Sequence, residues 1–187
     1  LPLAKGSAGA KEVLGKVKDL ENEGFSFEAA GGSLELLIRR VIGKYEKPFD
    51  LKEFHTSFRL YRDGHDPVCE ATVKLYVGEV AEYTVAEGHG VVNALDKALR
   101  KALLPFYPEL QEVSLVDYKV RIVDGHDATA AKTRVLIVSS DGECNWGTIG
   151  VSENIIEASW IAIVDSLDIF LQRRREAAVD TRQVASA

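Results

Sequence analysis

The sequence contains no methionine and only two cysteines, Cys69 and Cys144. They lack the CxxC spacing of a zinc site or redox motif and do not form a disulfide framework, so we expect a reducing compartment, the cytoplasm. No run approaches the roughly 18 to 20 apolar residues needed to span a bilayer, and no signal peptide opens the chain, so we expect no membrane partner. Because the chain begins at Leu1, we expect it to be part of a longer polypeptide.

Positive charge is also scarce. The 23 Lys and Arg residues are outnumbered by 29 Asp and Glu residues, which gives a net charge of −6 and argues against a nucleic-acid partner. Residues 173–175 form the only tight basic run. The hydrophobic fraction of 46% and the charged fraction of 28% are those of an ordinary globular protein and exclude a disordered chain.

The first 52 residues show helical periodicity. Apolar residues recur on one face of 11–24 and again of 33–44, and Ser33 is predicted as the N-cap of the second helix. Gly24 ends the first helix. We therefore predict a small helical linker, or hinge, subdomain over residues 1–52.

From residue 53 the pattern changes to alternation with a period of two, which is typical of half-buried strands. The predicted strands are 54–60, 69–77, 80–86, 113–123, 133–138 and 144–150, and the predicted helices are 91–103 and 152–172. Both halves therefore read strand, strand, strand, helix.

The two halves align at an offset of 64 residues, which places Val91-Val92-Asn93-Ala94 on Ile155-Ile156-Glu157-Ala158. This predicts an α+β fold made of two internally repeated βββα units, spanning residues 53–176 and followed by a tail at 177–187. A chance similarity of two α+β units is the alternative explanation.

The helix of the second repeat is apolar around most of its circumference. Its polar residues form a narrow stripe of Glu157, Asp165, Asp168 and Gln172. Such a helix needs to be buried on two sides. The second cover is either a symmetry mate, which would make an isologous dimer, or the helix of the first repeat.

No pattern for catalysis is found. The four histidines, His55, His65, His89 and His126, form neither an HxH nor an HExxH pair, and there is no GxSxG, P-loop or GxGxxG arrangement. We predict no catalytic residues and no metal ligands in this chain, and no cofactor bound to it.

Binding chemistry is indicated at the two strand-to-helix junctions. Gly88-His89-Gly90 opens the first-repeat helix, and Ser152-Glu153-Asn154 opens the second. Glycines let backbone amides approach a ligand, and a helix N-terminus favours an anion such as a carboxylate. The local alternative is that these residues only make turns and helix caps.

Five segments carry a resemblance to a known family. They are 87–95 (EGHGVVNAL), 115–118 (LVDY), 146–159 (WGTIGVSENIIEAS), 98–103 (ALRKAL) and 105–108 (PFYP). Residues 53–172 resemble the regulatory domain of the α-isopropylmalate synthase and (R)-citramalate synthase family, and 20–30 (LENEGFSFEAA) resembles its hinge subdomain. Segments 98–103 and 105–108 favour the citramalate synthase branch. Val91 stands where the family often has proline.

The resemblance implies a parent acyltransferase whose catalytic TIM barrel, absent here, condenses acetyl-CoA with a 2-oxo acid at a divalent metal. It also implies that the regulatory domain forms a homodimer and binds the end product of the pathway. That effector is isoleucine in the citramalate branch, where the 2-oxo acid is pyruvate, and leucine in the isopropylmalate branch.

We hypothesise that the effector carboxylate meets the backbone amides of one junction and that its aliphatic side chain enters an apolar pocket between two helix N-termini at the dimer axis. The residues expected at this site are Gly88, His89, Gly90, Ala94, Leu95, Tyr118, Ser152, Asn154, Ile155 and Ala158. A purely structural dimerisation module is an alternative function. A double-stranded RNA binder shares the element order, but the acidic composition opposes it.

Overall fold

The structure is a computed structural model that describes residues 7–123 and 131–185, the last six of them by their backbone alone. The helices are α1 (Ala8–Asn22), α2 (Gly31–Val41), α3 (Val91–Leu103) and α4 (Ile155–Ala185). The strands are β1 (Asp50–Arg59), β2 (Val68–Val77), β3 (Val80–Gly88), β4 (Ser114–Ile122), β5 (Thr133–Ser140) and β6 (Asn145–Ser152). They form two three-stranded sheets, ordered β1-β2-β3 and β4-β5-β6, so the predicted α+β class is confirmed.

The chain divides into two compact units, each built on one sheet. The first unit, Lys47–Ser114, holds β1 to β3 and α3. The second unit holds the chain up to Glu46 together with the chain from Leu115 onward. The sequence assigned residues 1–52 to a linker subdomain, whereas α2 shares a compact unit with the second βββα repeat because it packs on β6 and α4.

The first unit is held together by contact between β2, whose buried side chains alternate along the strand, and α3, whose buried side chains recur with the period of a helix. The buried side chains of β2 are Cys69, Ala71, Val73 and Leu75. Those of α3 are Ala94, Leu95, Ala98, Leu99, Ala102 and Leu103. Both sets lie on one face of their element, so the sheet and the helix bury their apolar sides against each other.

The pairing of strands confirms the internal repeat. Cys69 pairs with Gly88 across β2 and β3, and Thr133 pairs with Ser152 across β5 and β6. Each residue of the second pair lies 64 positions after its counterpart in the first. The two hairpins therefore share one register.

A threonine on the last strand of each sheet fixes the helix of that unit. The Thr84 hydroxyl donates a hydrogen bond to the Ala98 carbonyl, and the Thr148 hydroxyl donates one to the Ala162 carbonyl, both at 2.7 Å. These partners also differ by 64 positions. The repeat thus extends to individual hydrogen bonds between strand and helix.

In the second unit, α2 covers the exposed edge of the sheet. The Ser33 hydroxyl oxygen accepts a hydrogen bond from the Ile149 backbone N–H of edge strand β6 at 3.0 Å, and the hydroxyl donates to the Asp165 carboxylate of α4 at 2.7 Å. Ser33 is therefore not the helix N-cap that the sequence predicted, because α2 already begins at Gly31. An edge N–H that would otherwise lack a partner is satisfied by this side chain.

The chain at the start of α2 lies so close to β6 that a side chain cannot fit between them. A Cβ atom added to Gly147 would lie 1.8 Å from the Ala29 carbonyl oxygen, and one added to Gly32 would lie 2.9 Å from the Gly147 carbonyl oxygen. The glycines at these two positions therefore allow backbone to pack directly on backbone.

Helix α4 is covered on one side by β5 and β6 and on another by α2. The sequence assigned the second cover to a symmetry mate or to α3, and α2 was not considered. Asp168 and Gln172 of the predicted polar stripe are buried, with 3% and 4% of their surface exposed. Asp165 and Asp168 therefore face α2, through Ser33 and Arg40, whereas Glu157 at the start of α4 is exposed.

The helix also continues past the predicted end. Arg39 of α2 is buried and pairs with Glu35 at 2.7 Å and with Glu176 at 2.6 Å, and Arg173 pairs with Glu35 at 2.7 Å. These ion pairs tie α4 to α2 beyond residue 172. Helix α4 then runs to Ala185, so the segment predicted as a tail is helical as far as the described residues reach.

We predict that Gly147→Ala destabilises the second unit by on the order of 3 kcal/mol, because the new methyl group would overlap the Ala29 carbonyl. Urea unfolding followed by tryptophan fluorescence measures this, since both tryptophans, Trp146 and Trp160, belong to the second unit.

The matched control is Gly31→Ala, whose added Cβ atom has no neighbour within 4 Å. It should leave the unfolding midpoint unchanged or raise it slightly, because alanine favours the helix. Equal stability of the Gly147→Ala variant and the unaltered chain would contradict the backbone contact described for α2 and β6.

Candidate functional site

The first predicted junction lies at the end of β3. An added Cβ atom on Gly88 would lie 2.4 Å from the Ala94 backbone nitrogen, so this glycine serves the close packing of β3 on α3. Gly90 is the extended N-cap residue of α3, and its surroundings are open. His89 is exposed, and its backbone N–H donates to the Asn93 side chain at 3.2 Å. Only Gly90 therefore offers backbone with free space around it.

The second junction lies at the end of β6. The Ser152 hydroxyl donates to the Glu157 carboxylate at 2.6 Å and accepts from the Asn154 N–H at 3.0 Å. The Asn154 side-chain oxygen accepts from the Ile156 N–H at 2.8 Å, which makes it a cap of α4. Ser152 and Asn154 are thus positioned at the helix N-terminus and already bonded locally.

An exposed apolar surface adjoins this second junction. The Tyr118 hydroxyl on β4 shares a 2.7 Å hydrogen bond with the Ser159 hydroxyl, which donates to the Ile155 carbonyl at 2.6 Å. Tyr118 is 36% exposed and Ile155 is 44% exposed. The structure therefore brings Tyr118 and Ile155 together with Ser152 and Asn154 around the start of α4.

Three of the predicted lining residues have another role. Ala94 and Leu95 are fully buried in the first unit, and Ala158 is fully buried in the second. An added Cβ atom on Gly150 would lie 2.0 Å from the Ala158 carbonyl oxygen, so this part of α4 rests directly on β6. These side chains belong to the packed interior of each unit, behind the junctions.

A cluster of polar side chains that the sequence did not identify as a site joins α2 to α4. Its members, here named the α2–α4 polar cluster, are Ser33, Arg40, Tyr45, Asp165, Asp168 and Gln172. The Arg40 guanidinium lies 3.6 Å from Asp165 and 3.7 Å from Asp168. The Tyr45 hydroxyl and the Gln172 amide donate to Asp168 at 2.7 and 2.9 Å. The polar stripe on α4 was the signal in the sequence.

Burial governs the titration of this cluster. It raises the pKa of Asp165 to about 6, against the lowering effect of the Ser33 hydrogen bond and the Arg40 charge. Burial also raises the pKa of Asp168, and burial together with the Asp168 carboxylate raises the pKa of Tyr45 to about 12. The contact between α2 and α4 therefore contains a carboxyl group that titrates close to neutral pH.

Within residues 7–123 and 131–185 no group of three His, Cys, Asp or Glu side chains is arranged to hold a metal ion. The helices of the same residues include none long and apolar enough to cross a bilayer.

Residues 28–171 match the family model described as the LeuA allosteric (dimerisation) domain. The chain is 50% identical over 169 residues to (R)-citramalate synthase of Aquifex aeolicus, covering 90% of this chain and 32% of that protein. It is 47% identical over 165 residues to (R)-citramalate synthase of Geobacter sulfurreducens, covering 88% of this chain and 31% of that protein. It is 30% identical over 165 residues to the 2-isopropylmalate synthase of Aquifex aeolicus, covering 88% of this chain and 28% of that protein. The chain therefore spans about a third of the length of these relatives.

We predict that Asp165→Asn stabilises the second unit at neutral pH. The folded-state pKa of Asp165, about 6, lies above the ordinary value of 3.8, so its contribution to stability is present below pH 3.8 and is lost as the pH rises through 6. Asparagine removes this titration and keeps an acceptor for Ser33. The expected gain at pH 7 is on the order of 1 to 3 kcal/mol, vanishing toward pH 4, in unfolding curves followed by tryptophan fluorescence.

Asp141→Asn provides a control of opposite sign. Backbone N–H groups of Cys144 and Glu143 lower the pKa of Asp141, so its stabilising effect is present above the ordinary value and is lost as the pH falls. This variant should be less stable than the unaltered chain at pH 7. A gain for Asp165→Asn that is the same at pH 4 and pH 7 would contradict the assigned titration.

Proposed function

The chain belongs to the LeuA allosteric (dimerisation) domain family, and we propose that it is the feedback-regulatory domain of an (R)-citramalate synthase, with isoleucine as its effector. Four of the (R)-citramalate synthases among its relatives are 43 to 50% identical over about nine-tenths of the chain and another is 36% identical, against 30% for a 2-isopropylmalate synthase. This difference supports the citramalate branch. Leucine as effector is the alternative for the isopropylmalate branch.

The reaction of the parent enzyme is part of this proposal. The chain spans about a third of its relatives, and we assign the condensation of acetyl-CoA with pyruvate, and the divalent metal, to a catalytic domain outside these residues. Within residues 7–123 and 131–185 no group of three potential ligands fits a metal, so no step of that chemistry is assigned to them.

The observation that carries the effector proposal is the combination of chemistry at the start of α4. Ile155 and Tyr118 expose apolar surface beside a helix N-terminus, where Ser152 and Asn154 supply polar groups. A helix N-terminus attracts a carboxylate, and an adjacent apolar surface suits an aliphatic side chain.

Feedback requires that the effector favour one arrangement of the module over another. We assign the transmission of this signal to α2, because its contacts with α4 run through the α2–α4 polar cluster and the Arg39 ion pairs. A coupling of about 1 to 3 kcal/mol would change activity severalfold or more.

A homodimer is the proposed assembly. Strand β4 exposes Leu115, Val116, Val120 and Ile122, each by 40% or more. A row of exposed apolar side chains on one strand is typical of an interaction surface, and a closed symmetric dimer is the commonest way to bury it. The same observation favours the second candidate function, a dimerisation module without an effector.

The effector prediction is tested by isothermal titration calorimetry of the chain with isoleucine, leucine and valine. We expect saturable binding of isoleucine, weakened about tenfold or more by Ile155→Ala because apolar contact is lost. Val179→Ala is the matched control, since Val179 lies on the same helix and is 53% exposed. Preference for leucine would move the assignment to the isopropylmalate branch. Binding unaffected by Ile155→Ala would contradict the site, and no binding in a folded dimer would favour the dimerisation module.

The dimer prediction is tested by sedimentation equilibrium. Val116→Lys places a charge in the apolar surface of β4 and should shift the chain toward monomer, because the desolvation of that charge opposes association. Val80→Lys, at a position 50% exposed at the start of β3, is the control and should leave the assembly unchanged. A monomer in the unaltered chain, or a dimer that tolerates Val116→Lys, would contradict the proposed surface.

A further inference from the structure

Strand β3 forms one edge of the sheet in the first unit, since it stands last in the order β1-β2-β3. Alternate residues of an antiparallel strand direct their backbone N–H and C=O groups toward the neighbouring strand, and the others direct them away from it. Val85 lies 64 positions before Ile149, whose N–H bonds to the Ser33 side chain at the edge of β6. The shared register of the two hairpins therefore places the backbone groups of Val85 and Glu87 at the outer edge of β3, here named the β3 edge.

Two lysines of α3 reach the β3 edge. The Lys101 ammonium group donates to the Val85 carbonyl and the Lys97 ammonium group donates to the Glu87 carbonyl, both at 3.3 Å. Both lysines are exposed, and they lie one helical turn apart on α3. Another strand could approach these carbonyls only by displacing the two charged groups or by removing them from water, which costs free energy.

The second repeat has a different group at the equivalent position of its helix. Asp165 lies 64 positions after Lys101, and it accepts the hydrogen bond of Ser33 that holds α2 on the edge of β6. In the second unit the helix side chain therefore holds a covering element in place, whereas in the first unit a lysine bonds to the strand itself.

The position equivalent to Gly147 also differs between the repeats. The close approach of the chain at the start of α2 requires the absence of a side chain at Gly147, and Tyr83 stands 64 positions earlier, in β3. A tyrosine at this position excludes the kind of cover that α2 gives to β6. The two edges are therefore protected by different means, β6 by α2 and β3 by its lysines.

Without the lysines, β3 would favour pairing with another strand. Its sequence, VAEYTVAEG, contains no proline and is rich in β-branched and aromatic residues. Thr84 bonds to α3, so its neighbours Tyr83 and Val85 point to the opposite face of the sheet, where they are 69% and 47% exposed. An edge strand with accessible backbone groups and exposed apolar side chains is a template for pairing, and lysine on the edge is a common protection against it.

We propose that Lys97 and Lys101 keep the β3 edge from pairing with the β3 edge of a second copy of the chain. Two antiparallel copies of one strand are self-complementary about a two-fold axis, so each copy offers the other a matching edge. With the lysines present, such a contact brings the ammonium groups of both copies together and opposes itself. This protection is independent of the effector site and of the dimer surface proposed on β4.

The test is sedimentation equilibrium of the double variant Lys97→Ala, Lys101→Ala. Alanine favours the helix, so α3 should be preserved. Loss of two positive charges takes the net charge from −6 to −8, which by itself increases the repulsion between copies. We nevertheless expect the weight-average mass to rise about twofold or more above that of the unaltered chain at equal concentration, because the copies pair at β3.

Two further double variants serve as controls. Lys11→Ala with Lys18→Ala removes the same charge from exposed positions on α1 and should leave the mass unchanged. Lys97→Arg with Lys101→Arg keeps both positive charges and their donors at the β3 edge, and it should also leave the mass unchanged.

Hydrogen exchange of single backbone amides, followed by the signals of the ¹⁵N-labelled chain, locates the contact. In the unaltered chain the amides of Val85 and Glu87 should exchange faster than those of Thr84 and Ala86, which face β2. In the double-alanine variant they should become protected as the mass rises.

Three results would overturn the proposal. The first is a double-alanine variant with the mass of the unaltered chain. The second is a larger assembly in which the Val85 and Glu87 amides still exchange rapidly, since the copies would then associate elsewhere. The third is slow exchange of both amides in the unaltered chain, since the β3 edge would already be paired despite its lysines.

Discussion

Each helix of the repeat rests so closely on the last strand of its sheet that a side chain cannot fit at the crossing. Gly88 meets Ala94 in the first unit and Gly150 meets Ala158 in the second, in both cases backbone against backbone. In each unit a hydrogen bond from a threonine hydroxyl on the last strand to a carbonyl of the helix, Thr84 to Ala98 and Thr148 to Ala162, also joins strand and helix. The start of the helix is therefore held at the end of the strand, and both candidate junctions follow from this constraint.

The two repeats differ in what surrounds their helices. Helix α3 is strongly one-sided and buries its apolar face on β2 and β3, whereas α4 meets α2 as well as its own sheet. The added helix changes the chemistry of the second unit, because Ser33, Asp165 and the β6 edge become one hydrogen-bonded connection. A symmetric repeat thereby acquires one unit that can respond to the position of α2.

This asymmetry suits a regulatory module. The exposed apolar surface at Ile155 lies at one end of α4, and the polar contacts with α2 lie further along the same helix. A helix transmits a displacement along its length because its hydrogen bonds make it stiff. Buried charged groups at the far contact respond strongly to small movements, since each loses solvation that its partners replace only at short distance. The surface at Ile155 and the contacts with α2 are thus joined by a single element.

The sequence by itself determined the repeat, the hairpins, the α+β class and the two strand-to-helix junctions, because periods of 2 and 3.6 and an offset of 64 are properties of neighbouring residues along the chain. Tertiary structure decided that Ala94, Leu95 and Ala158 belong to the interior and that Ser33 bonds to Ile149 and Asp165. It also decided that Asp168 and Gln172 of α4 face inward and that the helix runs on to Ala185. The two Ser33 bonds join residues more than a hundred positions apart, and local periodicity contains no information about which distant face will cover a given side chain.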